Sequence, residues 1–396
     1  MVLDMLALLF GLVSATIIFA NTSLMTLSLL SRSTPLEPPV IDLSKHPEVT
    51  IVIPAYREGP NIRYVLQSIK DVNYPKDRLE IVVVGEEDDF ETYSEILKIC
   101  EVSGNELACG GVRGRYLVNR SGTRNKPAAL NFALRYVRSE IVAFFDAEDT
   151  VHRDHIAIAV NFLLEDNSTA AVQFVREVAP EFGDVGEVQR TDFWLYYRVI
   201  LPYIMHKTWL PEICGSAFFT RLSYLNKVGG FNLGSPAEDL DLTYRFGARG
   251  WKIVVAEPPS VTRPITRTSS LVKQRARWIR GGILAIPQGV RALPRSAPLL
   301  LVTGLMPISS VTSTLALIFS LASILLGGGQ QAIIVILVIV SASSIGALPL
   351  ALLAGNKERI FKYLGLMSAI YFLASWRAVI ELFVAPHSWN KSEDKG

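Results

Sequence analysis

The chain has 396 residues, half of them apolar, and its 39 basic and 37 acidic side chains leave a formal charge of +2. No basic face dominates, which excludes nucleic acid as a partner, and a mean hydropathy of +0.31 is too high for an ordinary soluble enzyme. The apolar excess lies at the two ends, whereas the middle, from Leu36 to Arg295, is charged, mixed and long enough for one sizeable domain.

Met5 to Leu30 carries no charged residue and is about as long as a helix crossing ~30 Å of hydrocarbon. It lacks a basic stretch at its start, carries Asp4 there instead, and is long for a signal peptide, so it is expected to remain as a transmembrane helix. The Pro-rich stretch Pro35 to Pro47 reads as a linker. VTIVIPAY then forms a β-branched run ending in Pro54, the pattern of a buried parallel strand. A helix is predicted from Asn61 to Lys70, a second strand (LEIVVVG) from Leu79 to Gly85, and a helix from Glu91 to Val102. RYLVN (Arg115 to Asn119), a helix from Pro127 to Val137 and EIVAFFD, ending at Asp146, follow. Strands alternating with helices of this length predict an α/β fold with a doubly wound, parallel-rich sheet, whose ligands bind at the carboxyl ends of the strands. Polar groups stand at those ends: Tyr56 and Glu58, then Glu86 to Asp89, then Asp146 to Asp149. The stretch from Ala170 to Glu257 is less regular and is expected to complete the sheet.

Beyond the middle, Pro298 to Leu326 and Ala332 to Ala354 are uncharged and long enough to span a membrane. Tyr363 to Leu382 is a weaker third candidate, interrupted by Arg377 and Glu381. Arg32 follows the first span, and Lys357, Arg359 and Lys362 lie between the last two, so positive-inside bias puts the globular domain in the cytoplasm. The expected division is residues 1–35 for the first helix and linker, 36–296 for the globular domain, 297–386 for the C-terminal helices and 387–396 for a tail.

Several motifs could carry chemistry. FFDAEDT sets Asp146, Glu148 and Asp149 just after an apolar strand, where two carboxylates can share a hard divalent cation, Mg²⁺ or Mn²⁺, that also binds a diphosphate. A solvated acidic turn or a helix N-cap is the competing explanation. AEDLDLTYRF supplies Glu238, Asp239 and Asp241, either as helix-dipole partners or with Asp239 as a general base tuned by Glu238. EEDDFET could hydrogen-bond a base or ribose, and RNKPAALN offers Arg124 and Lys126 to a uracil ring or phosphate, or is simply a basic loop entering a helix. CGSAFFTR places Gly215 and Ser216 where backbone can approach a ligand closely. QRARWIRG puts Gln274, Arg277 and Trp278 within about one helical turn: an amide, a bidentate cation and a flat ring, suited to a sugar and a phosphate at a membrane surface. Arg and Trp there could also be plain interface anchors. His152, His155 and His206 show no ligand spacing and read as structural; Cys100, Cys109 and Cys214, odd in number and without metal spacing, read as buried thiols of a reducing compartment.

Together EEDDFET, RNKPAALN, DAEDT, AEDLDLTYRF and QRARWIRG resemble the membrane-embedded, cellulose-synthase-like members of glycosyltransferase family 2, closest to exopolysaccharide-type synthases, over about Val49 to Gly282. The later HSWNKS, from His387, resembles their Trp-x-Lys-Thr tail with Ser392 in place of Thr. The resemblance implies a GT-A-type sheet domain flanked by one N-terminal and about three C-terminal transmembrane helices. It implies a nucleotide-diphosphate sugar donor, in the first place a UDP-sugar, and a glycan or lipid-linked acceptor at the membrane lipid. Asp88 and Lys126 would sit at the nucleotide, and Asp146 with Glu148 would hold the cation and donor diphosphate. Asp239 would deprotonate the acceptor, while Gln274, Arg277 and Trp278 would hold acceptor sugar and leaving diphosphate. The usual Asp-x-Asp is here Asp-Ala-Glu-Asp, which leaves open whether Glu148 or Asp149 is the second ligand; the usual Thr-Glu-Asp begins with Ala237. The implied activity is inverting transfer, processive in the first reading, with a single transfer to polyprenyl phosphate and an inactive scaffold as alternatives.

Overall fold

A computed structural model describes residues 2–37, 46–180, 183–327, 331–339 and 358–384. After the long helix α1 (Val2–Ser31), the globular domain alternates β1 (Val49–Pro54), α2 (Ile62–Ser68), β2 (Leu79–Gly85), α3 (Phe90–Leu97), β3 (Glu101–Ser103), β4 (Glu106–Cys109), β5 (Val112–Val118), α4 (Lys126–Leu134), β6 (Ile141–Phe144), α5 (His155–Glu165) and β7 (Thr169–Val178). It continues with α6 (Gly183–Leu195), a π-helical turn (Tyr196–Ile200), α7 (Leu201–Thr208), β8 (Phe218–Arg221), α8 (Leu222–Lys227), α9 (Glu238–Ala248), β9 (Lys252–Thr262) and α10 (Thr268–Leu284). The short α11 (Ile286–Arg291) and α12 (Ala297–Leu300) lead to α13 (Met306–Leu325), and α14 (Glu358–Val384) is the last helix described.

The nine strands form one sheet in the order β3-β4-β5-β2-β1-β6-β8-β7-β9. β5, β2, β1 and β6 run parallel, β8 is antiparallel to β6 and β7, and β9 returns parallel to β7. Alternation along buried strands divides the apolar residues between two faces. Val49, Ile51 and Ile53 of β1 join Ile62, Val65 and Ile96 on one face; Val52 joins Leu130, Leu242 and Phe246 on the other. The expected sheet is thus present, with its parallel strand ends gathered on one edge.

Two expectations in this half are corrected. The helix predicted to run to Val102 stops at Leu97, and Glu101–Ser103 is the outer strand of a hairpin with β4. That register sets Glu101 opposite Ala108, so the next pair outward is Cys100 and Cys109, which form a disulfide instead of the expected separate thiols. Cys214 alone remains free. The linker is also tied down at Leu36, whose N–H donates to the Val255 carbonyl at 2.8 Å as a bridge on β9.

Among the described residues, three helices are long and apolar enough to cross a membrane: Val2–Ser31, Ala297–Leu325 and Lys362–Val384. The candidate that is weakest by sequence, Tyr363 to Leu382, is therefore one of them; of the segment Ala332 to Ala354 only a helical run over 331–339 is described, and HSWNKS lies outside the described residues. α1 lies along α13, joined by Ser14 Oγ to the Ser309 carbonyl at 3.3 Å and by Phe10 stacked on Phe319 at 5.8 Å. α14 docks on α10 through Arg280 and Glu381 at 2.6 Å. A small cluster of Ile200, Leu240, Tyr244 and Leu299, with Met25 and Val302 against it, seals the globular domain to the apolar helices.

Candidate active site

The carboxyl ends of β1, β2 and β6 open into a chamber of about 520 Å³ that continues between the apolar helices. Tyr56, Glu58, Glu86, Arg124, Lys126, Asp146 and Glu148 line one end. Glu212, Glu238, Asp239, Gln274, Arg277 and Trp278 line its middle, and Met25, Val302, Met306, Met367 and Phe372 its far end. Almost all the expected site residues are thus in one space. Asp88 is not among the lining residues; it is half-exposed and ion-paired at 2.8 Å with Arg124, which is.

Local sequence explains the placement. Asn125 caps α4, its side chain accepting from the Ala128 N–H, and Pro127 fits the first turn. Lys126 therefore projects from the helix start into the chamber. Its Nζ donates to Asp146 Oδ1 at 2.6 Å and to the Gly215 carbonyl at 2.9 Å, and lies 3.8 Å from Glu238. Burial alone would pull this amine down, but Asp146, Glu238 and Asp239 outweigh it and hold the pKa above the ordinary lysine value. A lysine expected at the nucleotide is thus also the tie between the two acidic motifs.

The three acids of FFDAEDT separate by environment. Asp149 is fully buried, accepts from Arg176 Nη2 at 2.8 Å and from the Ser216 hydroxyl, and does not line the chamber. Ser216 Oγ also accepts from the Asp146 N–H at 2.8 Å, so Asp149, Ser216 and Arg176 brace the strand end from behind. Asp146 and Glu148 line the chamber. Their oxygens suit a hard cation. Among the described residues no three His, Cys, Asp or Glu side chains converge on one point.

Glu238 and Asp239 begin α9, where Asp239 Oδ1 accepts from the Leu240 N–H at 2.9 Å. Burial, then the neighbouring Asp239 charge, pushes Glu238 up to about 7; burial also raises Asp239, against the pull of Lys126 and Arg277. A carboxylate so raised is a stronger base than one in water. Gly215 packs directly on it: with φ +75°, a Cβ there would stand 2.6 Å from Asp239 Oδ2.

In α10 the set Gln274, Arg277, Trp278 lines the chamber, but its scaffold is Arg275, which the sequence reading left aside. Arg275 is almost wholly buried and donates to Gln274 Oε1 at 2.6 Å and to Asp192 Oδ2 at 2.7 Å. Its guanidinium lies 4.0 Å over the Trp278 ring, and Tyr371 of α14 donates to Asp192 at 3.0 Å. The indole is therefore held on one face by a fixed cation. Arg176, Glu212, Tyr196 and Tyr197 also line the chamber and carry no motif of their own in the sequence. His155 is structural as expected, buried and bonded to the Pro258 carbonyl at 2.9 Å.

Residues 46–281 match the profile described as Glycosyltransferase like family 2, and the chain belongs to that family. A beta-monoglucosyldiacylglycerol synthase of Synechocystis sp. is 26% identical over 275 residues, 64% of this chain and 52% of the relative. The UDP-forming Cellulose synthase 1 catalytic subunit of Komagataeibacter xylinus is 24% identical over 252 residues, 60% of this chain and 31% of the relative. The chain thus spans about half the length of these relatives, or less. Among solved structures, mannosyltransferase PcManGT from Pyrobaculum calidifontis, determined with GDP-Man and Mn²⁺, has a TM-score of 0.61 at 20% identity and covers 95% of this chain and 99% of that one. That likeness shows a shared GT-A fold, and the protein is a family 2 glycosyltransferase whose relatives act on glycolipids and polysaccharides.

Proposed function

We propose that the protein is an inverting membrane glycosyltransferase that moves a hexosyl group from a nucleotide-diphosphate sugar, in the first place a UDP-sugar, to a hydroxyl of a membrane-held acceptor. One observation carries this reading: the candidate donor residues, the raised carboxylate Asp239 and the apolar helices share a single chamber. Its far end, with Met25, Val302, Met306 and Phe372, fits an acyl or polyprenyl tail better than water.

Asp239 takes the acceptor proton, and the freed oxygen attacks the anomeric carbon from the face opposite the diphosphate. The bond from that carbon to the phosphate oxygen breaks, and its electron pair leaves with the nucleotide. Arg277 and Lys126 offset the charge that grows on the leaving oxygens. A Mg²⁺ or Mn²⁺ held by Asp146 and Glu148 would neutralise part of the same diphosphate charge. Trp278, fixed by Arg275, offers its open side to the apolar face of a pyranose.

The apolar far end favours a lipid-linked acceptor; the sugar platform at Trp278 favours extension of a growing glycan as the second reading. A polyprenyl phosphate is already ionised and gives a raised base nothing to do, so single transfer to phosphate ranks below both. An inactive scaffold would not need the retained acidic motifs. The catalytic domain is assigned to the cytoplasm on the basic residues Arg32 and Lys357, so a cysteine placed at exposed Leu326 should react with an impermeant thiol reagent in intact cells. The activity is tested by giving purified protein a panel of UDP- and GDP-sugars with liposomes containing diacylglycerol and glycolipid. Mass spectrometry should find a hexosylated, solvent-extractable product; no nucleotide release from any donor would overturn the reading.

A further inference from the structure

The acceptor side of the chamber holds a carboxyl that the reaction above leaves unused. Glu212 sits in the loop between α7 and β8, and its Oε2 accepts a short hydrogen bond from the Tyr196 hydroxyl. Tyr196 opens the π-helical turn Tyr196–Ile200 in the middle of a helix that is otherwise regular from Gly183 to Thr208. A π turn re-aims side chains and is found disproportionately at functional sites. Here it sends two consecutive tyrosines to one loop, Tyr196 to Glu212 and Tyr197 to Cys214.

Glu212, Tyr196 and Asp239 are each partly open, and all three line the chamber. The wall beside them is apolar, since Tyr196, Met25 and Val302 all pack against the cluster that holds Ile200 and Leu240. A carboxyl placed there only to accept from one tyrosine would cost more desolvation than an apolar side chain of the same size. Burial pushes Glu212 up to about 8, and the Asp239 charge pushes it the same way, so it keeps its proton at neutral pH. In that form it both donates and accepts. It is therefore suited to an uncharged hydroxyl and unsuited to a phosphate.

We propose that Glu212, oriented by Tyr196, is a second acceptor-binding residue that hydrogen-bonds a hydroxyl of the acceptor headgroup beside the one Asp239 activates, so that polyhydroxylated headgroups are chosen over lone alcohols. This rests on the transfer reading above and deepens it to an acceptor class: a lipid already bearing a sugar or a similarly hydroxylated head.

The test compares octyl β-glucoside with 1-octanol as acceptors for detergent-purified, full-length protein, alongside acceptor-free donor hydrolysis. Wild type should use octyl β-glucoside with at least about tenfold higher kcat/KM than 1-octanol, the size of one buried hydrogen bond to a polar group. Glu212→Ala should raise the octyl β-glucoside KM by about tenfold to a hundredfold while 1-octanol use, donor KM and donor hydrolysis stay at wild-type values. Glu212→Gln, which still donates and accepts, should remain within about threefold of wild type. Equal use of the two alcohols by wild type, use of neither, or a parallel loss on both acceptors in Glu212→Ala would overturn the proposal. Absence of donor hydrolysis in wild type would instead count against the transfer reading itself.

Discussion

The two ends of the chamber solve opposite electrostatic problems. At the donor end the acids are matched by cations in place, Lys126 on Asp146 in the chamber and, for acids just outside it, Arg124 on Asp88 and Arg176 on Asp149. At the acceptor end Glu238, Asp239 and Glu212 stand close together, and burial raises all three. On the proposed reading, the donor end is prepared for a ligand that brings its own negative charge, whose arrival can redistribute existing ion pairs. On the same reading, the acceptor end is prepared for a neutral ligand that must lose a proton. Lys126 touches both sets, with carboxylate contacts to Asp146 and Glu238 alike.

That contrast yields separable losses. Asp239→Asn is expected to lower transfer by about 10²–10⁴-fold, the usual contribution of a general base, with donor affinity within a few-fold of wild type. Transfer above roughly a tenth of the wild-type rate would remove Asp239 from that role. Asp146→Ala should act on the donor side, abolishing Mn²⁺-dependent binding of UDP or GDP in calorimetry. Glu148→Ala should weaken the same binding at a near-normal melting temperature. Asp149→Ala should instead destabilise the fold by about 3–5 kcal/mol, because it strands the buried Arg176 charge. Unchanged stability in that variant would reopen Asp149 as the second ligand.

Smaller effects follow at the acceptor end. Trp278→Ala is expected to cut acceptor use about tenfold, consistent with one stacking contact plus its buried area, and to spare donor hydrolysis. Equal loss of both at normal yield would make Trp278 an interface anchor. Stability carries a pH signature from Glu212, whose folded pKa of about 8 lies above the unfolded carboxylate value. The folded state therefore binds this proton more tightly, so its stabilising effect is complete below about pH 4 and is lost as pH rises through about 8. Across that window the melting temperature of wild type should fall relative to Glu212→Gln, which does not titrate; parallel curves would contradict the burial argument.

How much of this was legible in the sequence also differs between the ends. β1, β2 and β6 were readable because a buried parallel strand is a continuous β-branched run, and the acids at their tips came with them. The β3–β4 hairpin was not, since an exposed three-residue edge strand such as Glu101–Ser103 has no apolar pattern to distinguish it from the end of a helix. At the acceptor end Asp239 and Trp278 announced themselves through compact motifs. Glu212, Tyr196 and Arg275 did not, because their meaning lies in contacts across 16 residues for Tyr196 and Glu212 and 83 for Arg275 and Asp192. The apolar helices were visible by length and composition, but their share in the chamber, through Met25, Val302 and Tyr371, arises only from packing.

The most direct test of a single chamber joining donor chemistry to the membrane is to block its far end. Val302→Trp and Ser310→Trp put bulk on two lining positions contributed by the apolar helix Ala297–Leu325. Transfer from nucleotide sugar to a membrane-held acceptor should be lost in both, while nucleotide binding and acceptor-free donor hydrolysis stay at wild-type values. Wild-type transfer kinetics in both variants would show that the acceptor reaches Asp239 by another route and would contradict the shared chamber.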